Sequence, residues 1–250
     1  MKKFGFLIFF SLLFFSLRAQ DMKFGLTASP HMNWFRAEKE QIDSKVRVGF
    51  KYGAIGEFYF AENYAFTVGV NHVLTGGRFE TNRNHYIMFE QGELTNDEID
   101  TVPAFNDYKL DLQYIEVPLT LKLKTNEIGY LTYYGQIGVT PGVKLKGRVD
   151  ASSNHQNDDL KNTNVLKDIN FVNLALTVGG GIEYSLTKDV SLLAGIYFNN
   201  GFINVIPKDG GDENVNIQNK INKDKAESPK TSDGEKISMN NVSLRLGFMF

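Results

Sequence analysis

The sequence predicts an all-β fold, an eight-stranded antiparallel up-and-down transmembrane β-barrel. Three observations carry that prediction. Apolar and polar residues alternate with period two along most of the chain after residue 21. The alternating segments are joined by connections that are in turn long and short. Their polar faces are built mainly of small uncharged residues such as Gly25, Thr27 and Ser29, or Thr67, Gly69 and Asn71, rather than the charged groups of a water-facing surface.

The elements follow in chain order. Lys2 and Lys3 precede an apolar stretch from Phe4 to Leu17 that ends near the small residue Ala19. This is the layout of a secretory signal peptide over residues 1–19, with residues 20–250 as the mature barrel domain. At about 1.5 Å per helical residue the stretch covers only about two-thirds of a ~30 Å hydrocarbon layer, which disfavours a permanent membrane helix. No later run reaches that length. A membrane crossing therefore requires a closed barrel, because lipid offers no partner to unpaired backbone groups.

Strands are expected near 22–36, 46–60, 65–80, 107–124, 130–148, 171–185, 189–205 and at the C-terminus. In the last, Val242, Leu244, Leu246, Phe248 and Phe250 share one face, opposite Ser243, Arg245, Gly247 and Met249. Between 107 and 124 the apolar phase changes: Leu110 and Leu112 share one face, while Ile115, Val117, Leu119, Leu121 and Leu123 share the other. That change predicts a β-bulge near Tyr114. Pro118 cannot donate to a ladder and weakens regular pairing there. Long connections near 37–45, 81–106, 149–168 and 206–236 alternate with short ones at 61–64, 125–129 and 186–189. Such asymmetry is expected of short periplasmic turns and long extracellular loops, and an even strand number leaves both termini on the periplasmic side.

Eight up-and-down strands also describe a soluble, ligand-carrying barrel with a polar exterior. The small polar face argues instead for a crowded interior, since side chains just fill an eight-stranded lumen. Lys51, Glu116, Lys122, Glu183 and Arg245 fall in that interior phase and are expected to pair with one another. Gly179, Gly180 and Gly181 are read as relieving crowding or allowing a bend, because no helix follows them to form a phosphate site. Aromatic girdles are expected from Tyr59, Phe60, Tyr64, Tyr130, Tyr133, Tyr184 and Phe250 at one rim and from Trp34, Phe35, Phe79, Phe198 and Phe202 at the other.

Composition narrows the function. With 27 basic and 29 acidic residues the formal charge is −2, which lacks the basic excess of a nucleic-acid binder. The absence of cysteine excludes disulfides, thiolate metal sites and a cysteine nucleophile. Mean hydropathy of −0.26 suits a soluble protein, but it averages apolar alternate residues with polar loops. The histidines, His31, His72, His85 and His155, show no spacing suited to a shared metal. His72 is the one candidate for a lipid-modifying site, with Ser191 and Ser243 as distant partners, and no motif links them. Acidic groups at Asp97, Glu98 and Asp100, at Asp158 and Asp159, and at Asp209, Asp212 and Glu213 follow no calcium-loop spacing. No catalytic residue, cofactor or metal site is expected.

The signal ending RAQ, the segment QYIEVPLTLKLKTNEIGYLTYYGQIGVTPGVKLKGR, the stretch LTVGGGIEYSLTKDVSLLAGIYF and the closing strand resemble the PorT-like outer-membrane β-barrel proteins of Gram-negative bacteria. The resemblance covers the mature chain. It implies that Leu244, Leu246, Phe248 and Phe250 form an assembly signal read by the barrel-assembly machinery. The expected protein is a non-enzymatic barrel of the cell outer membrane, in contact with its lipid, with a structural or surface-interaction role for the long loops. The alternatives are a passive membrane stabiliser, a narrow porin-like pore, and a lipid-modifying barrel enzyme.

Overall fold

The computed structural model describes residues 22–37, 42–81, 107–152, 160–166, 169–205 and 237–250. The expected signal peptide lies outside the described residues, as do the expected loop at 206–236 and all but Thr81 of the one at 81–106. Eleven strands are formed: β1 (Met22–Ala37), β2 (Ile42–Lys45), β3 (Arg47–Ala61), β4 (Tyr64–Thr81), β5 (Asp107–Glu116), β6 (Leu119–Lys124), β7 (Leu131–Ser152), β8 (Leu160–Asn164), β9 (Val172–Ser185), β10 (Ser191–Gly201) and β11 (Ile237–Met249).

These reduce to a ring of eight. β2 continues β3 and β6 continues β5, while β8 is an addition paired to the outer part of β7. Each barrel strand pairs antiparallel with its chain neighbour, and β11 returns to pair with β1, from Gly25↔Met249 to Ala37↔Ile237. Closure is completed by reciprocal backbone bonds, Phe24 N–H to Phe250 O at 2.8 Å and Phe250 N–H to Phe24 O at 2.7 Å. The eight-stranded ring therefore closes on itself, with β8 added outside it along β7. Within the connections expected at 37–45 and 149–168, the chain forms β2, the outer end of β7, and β8, so the wall rises further than the alternation alone indicated.

Burial inverts the usual order of a globular protein. Facing out are Phe24, Leu26, Phe66, Val70, Ile137, Ile196, Leu244, Leu246 and Phe248, all large, apolar and exposed. Facing in are Thr27, Ser29, Asn71, Thr132, Gln136, Thr177 and Asn199, all buried. An exposed apolar band around a polar interior is the arrangement that a bilayer, not water, stabilises. On β11 the band runs from Val242 to Phe250, the length of a transmembrane β-strand of about 9–11 residues.

Above the band, at the rim carrying the long connections, polarity reverses. Phe35, Val73, Tyr108, Leu110, Leu112, Tyr114, Val149, Ile237 and Met239 turn inward and pack with Val165, Ile169 and Val205 from the connections into one buried apolar cluster. The outward faces there carry ion pairs, including Lys45–Glu80, Arg78–Asp107 and Lys109–Asp150. The outer end of the barrel is built like a water-soluble one.

The bulge expected near Tyr114 is present as a register shift between Gln113 and Tyr114, but its origin differs from the one the phase change suggested. β5 keeps a single phase, with Tyr108, Leu110, Leu112, Tyr114 and Glu116 all inward. The irregularity sits on the facing strand, where Gln113 pairs with Lys146 and Tyr114 with Lys144, leaving Leu145 as the extra residue. The apolar phase changed because the surroundings changed with height, not because the strand slipped. Pro118 acts as expected: it separates β5 from β6, and its carbonyl accepts from Gly69 N–H at 3.1 Å.

Candidate functional site

The lumen is filled in layers. Nearest the rim of short turns, Lys122 donates to both Glu57 and Glu183, all three buried. Lys124 reaches Glu183 Oε2 at 2.5 Å and Tyr59 Oη at 2.9 Å, and the Tyr59 hydroxyl donates to Glu57 Oε2 at 2.6 Å. Lys122 Nζ also lies 4.5 Å from the centre of the Tyr134 ring. Each carboxylate is met by a cation and each cation by at least one carboxylate, which buried charges need to avoid a cost of several kcal/mol. Strand alternation produces the cluster, since 57, 122, 124 and 183 all stand at inward positions at one height.

The middle layer is aromatic and cationic. Arg245 stacks on the Tyr197 ring at 3.8 Å and donates to Gln136 Oε1 at 3.3 Å. The Tyr197 hydroxyl donates to the same Gln136 oxygen and lies 3.1 Å from the Tyr134 hydroxyl, while Gln136 Nε2 donates to Thr67 at 2.9 Å. Glycine makes room for these rings: a Cβ on Gly179 would stand 2.3 Å from Tyr197 Cδ1, and one on Gly195 would stand 2.3 Å from the Tyr134 hydroxyl. The Gly179–Gly181 run relieves crowding, as its place in the alternation indicated. Lys51 and Glu116 face each other at 4.0 Å nearby.

Of the five interior charges expected to pair, Lys122 meets Glu183 and Lys51 meets Glu116. Arg245 does not meet a carboxylate among the described residues and rests on Tyr197 instead, a cation–π contact that takes over part of the role of a counter-charge. Glu57 and Tyr59 were missed as lumen groups. Glu57 shares the odd phase of Lys51 on β3, so the signal was present; Tyr59 was assigned to a lipid-facing girdle, as was Phe35, which belongs to the buried apolar cluster. The other girdle residues of the turn rim, Phe60, Tyr64, Tyr130, Tyr133, Tyr184 and Phe250, are all exposed, and at the opposite rim Trp34 stacks on Phe198 at 6.2 Å, with Phe202 exposed beyond it. The Phe79 side chain lies outside the described residues.

Toward the loop rim, Thr140, Thr177, Asn199 and Asn241 form a chain of hydrogen bonds, each 2.7 Å long. Above it the apolar cluster closes the lumen. His31 stands opposite Ser243 in the β1–β11 register, so Ser243 does have a histidine neighbour; yet His31 Nε2 and Ser243 Oγ are both without hydrogen-bond partners. His72 faces outward, its Nδ1 3.0 Å from the Tyr52 hydroxyl, and pairs with Ile115 rather than with either serine. His85, His155 and the acidic loop groups lie outside the described residues.

Leu244, Leu246, Phe248 and Phe250 all point outward along the closing strand, forming one apolar stripe between β1 and β10. Their environment is the lipid face.

No curated protein sequence matches the chain. Solved structures similar to it include the attachment invasion locus protein Ail of Yersinia pestis, at 11% identity and a TM-score of 0.39, over 92% of this chain and 99% of that one. They also include the outer membrane protein OprG of Pseudomonas aeruginosa, at 13% identity and a TM-score of 0.40, over 94% and 98%. A third is the outer membrane protease OmpT of Escherichia coli, at 10% identity and a TM-score of 0.44, over 92% and 96%. The family described as outer membrane protein beta-barrel domain matches residues 18–207. By that match, which covers most of the strands described above, the chain belongs to the outer membrane protein beta-barrel domain family.

Proposed function

We propose that this outer-membrane barrel is neither a pore nor an enzyme, and that it acts as a structural or surface-interaction protein whose loop rim, facing the cell exterior, is the contact surface. The apolar cluster of Leu110, Leu112, Tyr108 and their neighbours carries the reading. Water and ions avoid such a plug, and below it the lumen is occupied by paired charges and stacked rings. A wall raised beyond the membrane is a costly structure for a passive anchor and a suitable one for presenting loops. PorT-like kinship, resting on the 113–148 segment, cleavage of the leader after Ala19, and reading of Leu244, Leu246, Phe248 and Phe250 by the barrel-assembly machinery belong to the same proposal. Planar-bilayer recording tests it: the purified barrel is expected to give no steady conductance steps. Reproducible open steps would overturn the sealed-lumen reading, and an altered acyl pattern in membranes carrying His72→Ala would overturn the non-enzymatic one.

A further inference from the structure

Near the bulge at Leu145, at the height where the outward face changes from apolar to charged, the barrel wall has a second irregular place. The β3–β4 ladder ends at Phe50↔Leu74, and pairing to β4 resumes only with Lys45↔Arg78 of β2, so residues 46–49 and 75–77 do not pair with each other, although 47–49 still pair with β1 and 75–77 with β5. Arg47 crosses this break over Gly76 and donates to Leu110 O at 2.7 Å and to Asp111. Gly76, at φ +150°, could carry no side chain there: a Cβ would lie 1.9 Å from Leu110 O and 2.9 Å from Arg47 Nη1.

Beside the break is a cavity of about 580 Å³, within the roughly 300–1,000 Å³ of small-ligand sites. Its lining divides by chemistry. Pro30, Val48, Phe50 and Leu74 form an apolar side, while Arg47, Lys146 and Arg148 bring positive charge against the single carboxylate of Asp111. Asp111 is already engaged by Arg47 and by Lys109 at 3.7 Å. Among the described residues neither Lys146 nor Arg148 has a carboxylate within ion-pair distance; Arg148 donates to Asn162 Oδ1 at 2.5 Å. Behind the lining residue Gly49 stands His31, whose Nε2 would lie 2.4 Å from a Cβ at Gly49 and has no partner, as is true of the neighbouring Asn33 Oδ1. Both side chains are buried.

We infer that this cavity binds the phosphate group of an outer-leaflet lipid, with Lys146 and Arg148 holding the phosphate and the Val48, Phe50 and Leu74 side receiving the apolar part. The site lies where headgroups must lie, between the apolar band and the ion-paired belt. It offers two cations with no carboxylate partner among the described residues, next to a greasy wall, the complement of an anionic headgroup on its chains. Both cations project outward from β7, and the Arg148–Asn162 bond joins only the added strand β8.

Native mass spectrometry of the full mature barrel released from detergent tests this, with diphosphorylated lipid A, its dephosphorylated form and inorganic phosphate as probes. The diphosphorylated lipid is expected to be retained, and the Lys146→Ala/Arg148→Ala double variant to lower its occupancy about tenfold, while Lys188→Ala in the β9–β10 turn leaves it unchanged. Equal retention of the dephosphorylated lipid, equal loss in Lys188→Ala, or full displacement by millimolar inorganic phosphate would overturn the lipid assignment, the last by revealing a simple anion site. Capture of an acidic polysaccharide in preference to lipid A would overturn it as well. Unchanged heat-modifiable migration of the double variant establishes that the barrel itself is intact.

Discussion

Leu112 and Ile115 stand on opposite faces of β5, three residues apart, and each meets an apolar environment. Leu112 is buried in the outer cluster, 1% exposed, while Ile115 looks outward into the membrane band. The boundary between a lipid-stabilised and a self-stabilised barrel falls between them.

Leu112→Ala should cost about 2–4 kcal/mol, because it leaves a cavity among close-packed neighbours. Ile115→Ala should cost less, since lipid chains refill the space it vacates. Urea unfolding in vesicles, followed by tryptophan fluorescence from Trp34, checks the order. Equal losses would mean that the outer cluster is not packed as a core.

Lys122 is the hinge of the lower ion network. Replacing it with alanine strips Glu57 of its cation and leaves Glu183 with Lys124 alone, and about 3–5 kcal/mol of stability should be lost. The quadruple change Lys122→Met, Lys124→Met, Glu57→Gln, Glu183→Gln removes both cations together with both carboxylates, and should recover much of that loss. The same unfolding assay separates the two variants. If the quadruple change is as damaging as Lys122→Ala, the network contributes more than charge neutralisation.

Asp150 gives a pH signature outside the membrane band. Its carboxyl is held below the usual carboxylate range first by the backbone N–H of Asn162, 2.7 Å away, and then by Lys109. A depressed carboxyl stabilises the fold above its ordinary value of about 4, and the contribution is lost as pH falls through the lower, folded-state value. The protection factors of β8 amides, that is the intrinsic exchange rate at each pH divided by the observed one, should therefore be flat from pH 8 to 5 and fall below about pH 4. The effect should be under about 1 kcal/mol, because the group is partly exposed. Asp150→Asn should abolish the acid-dependent step; persistence of the step would assign it to another group.

Phe250→Ala should lower the amount of barrel in the outer membrane severalfold while leaving the unfolding midpoint of the purified protein nearly unchanged. The side chain faces lipid, whereas the Phe24–Phe250 closure is made by backbone atoms that alanine retains. Quantifying folded barrel in membrane fractions, next to equilibrium unfolding, distinguishes an assembly signal from a packing contact. Equal membrane levels would remove Phe250 from the signal.

The barrel was legible because period two and alternating connection lengths are properties of neighbouring residues. The strand faces of β9 and β11 could be read one residue at a time. What sequence did not disclose is height. Leu110 and Leu112 out of phase with Ile115 have two explanations, a slipped strand or a changed environment, and one strand in isolation does not separate them. Phe35 and Tyr59 failed for a related reason: an aromatic near a strand end serves a girdle or a plug according to its parity, and parity was outweighed by position. Glu57 was readable from its phase with Lys51. The cavity beside Arg47 was not readable, because it depends on a ladder that stops four residues early.

The ion-paired belt also bears on how the barrel is held in place. Lys45–Glu80, Arg78–Asp107 and Lys109–Asp150 join adjacent strands all along one side of the outer end. Drawing them into the hydrocarbon layer would mean stripping water from six charged groups together, so the belt limits how deeply this end of the barrel can sink. A thicker bilayer must thin around this barrel rather than draw it inward.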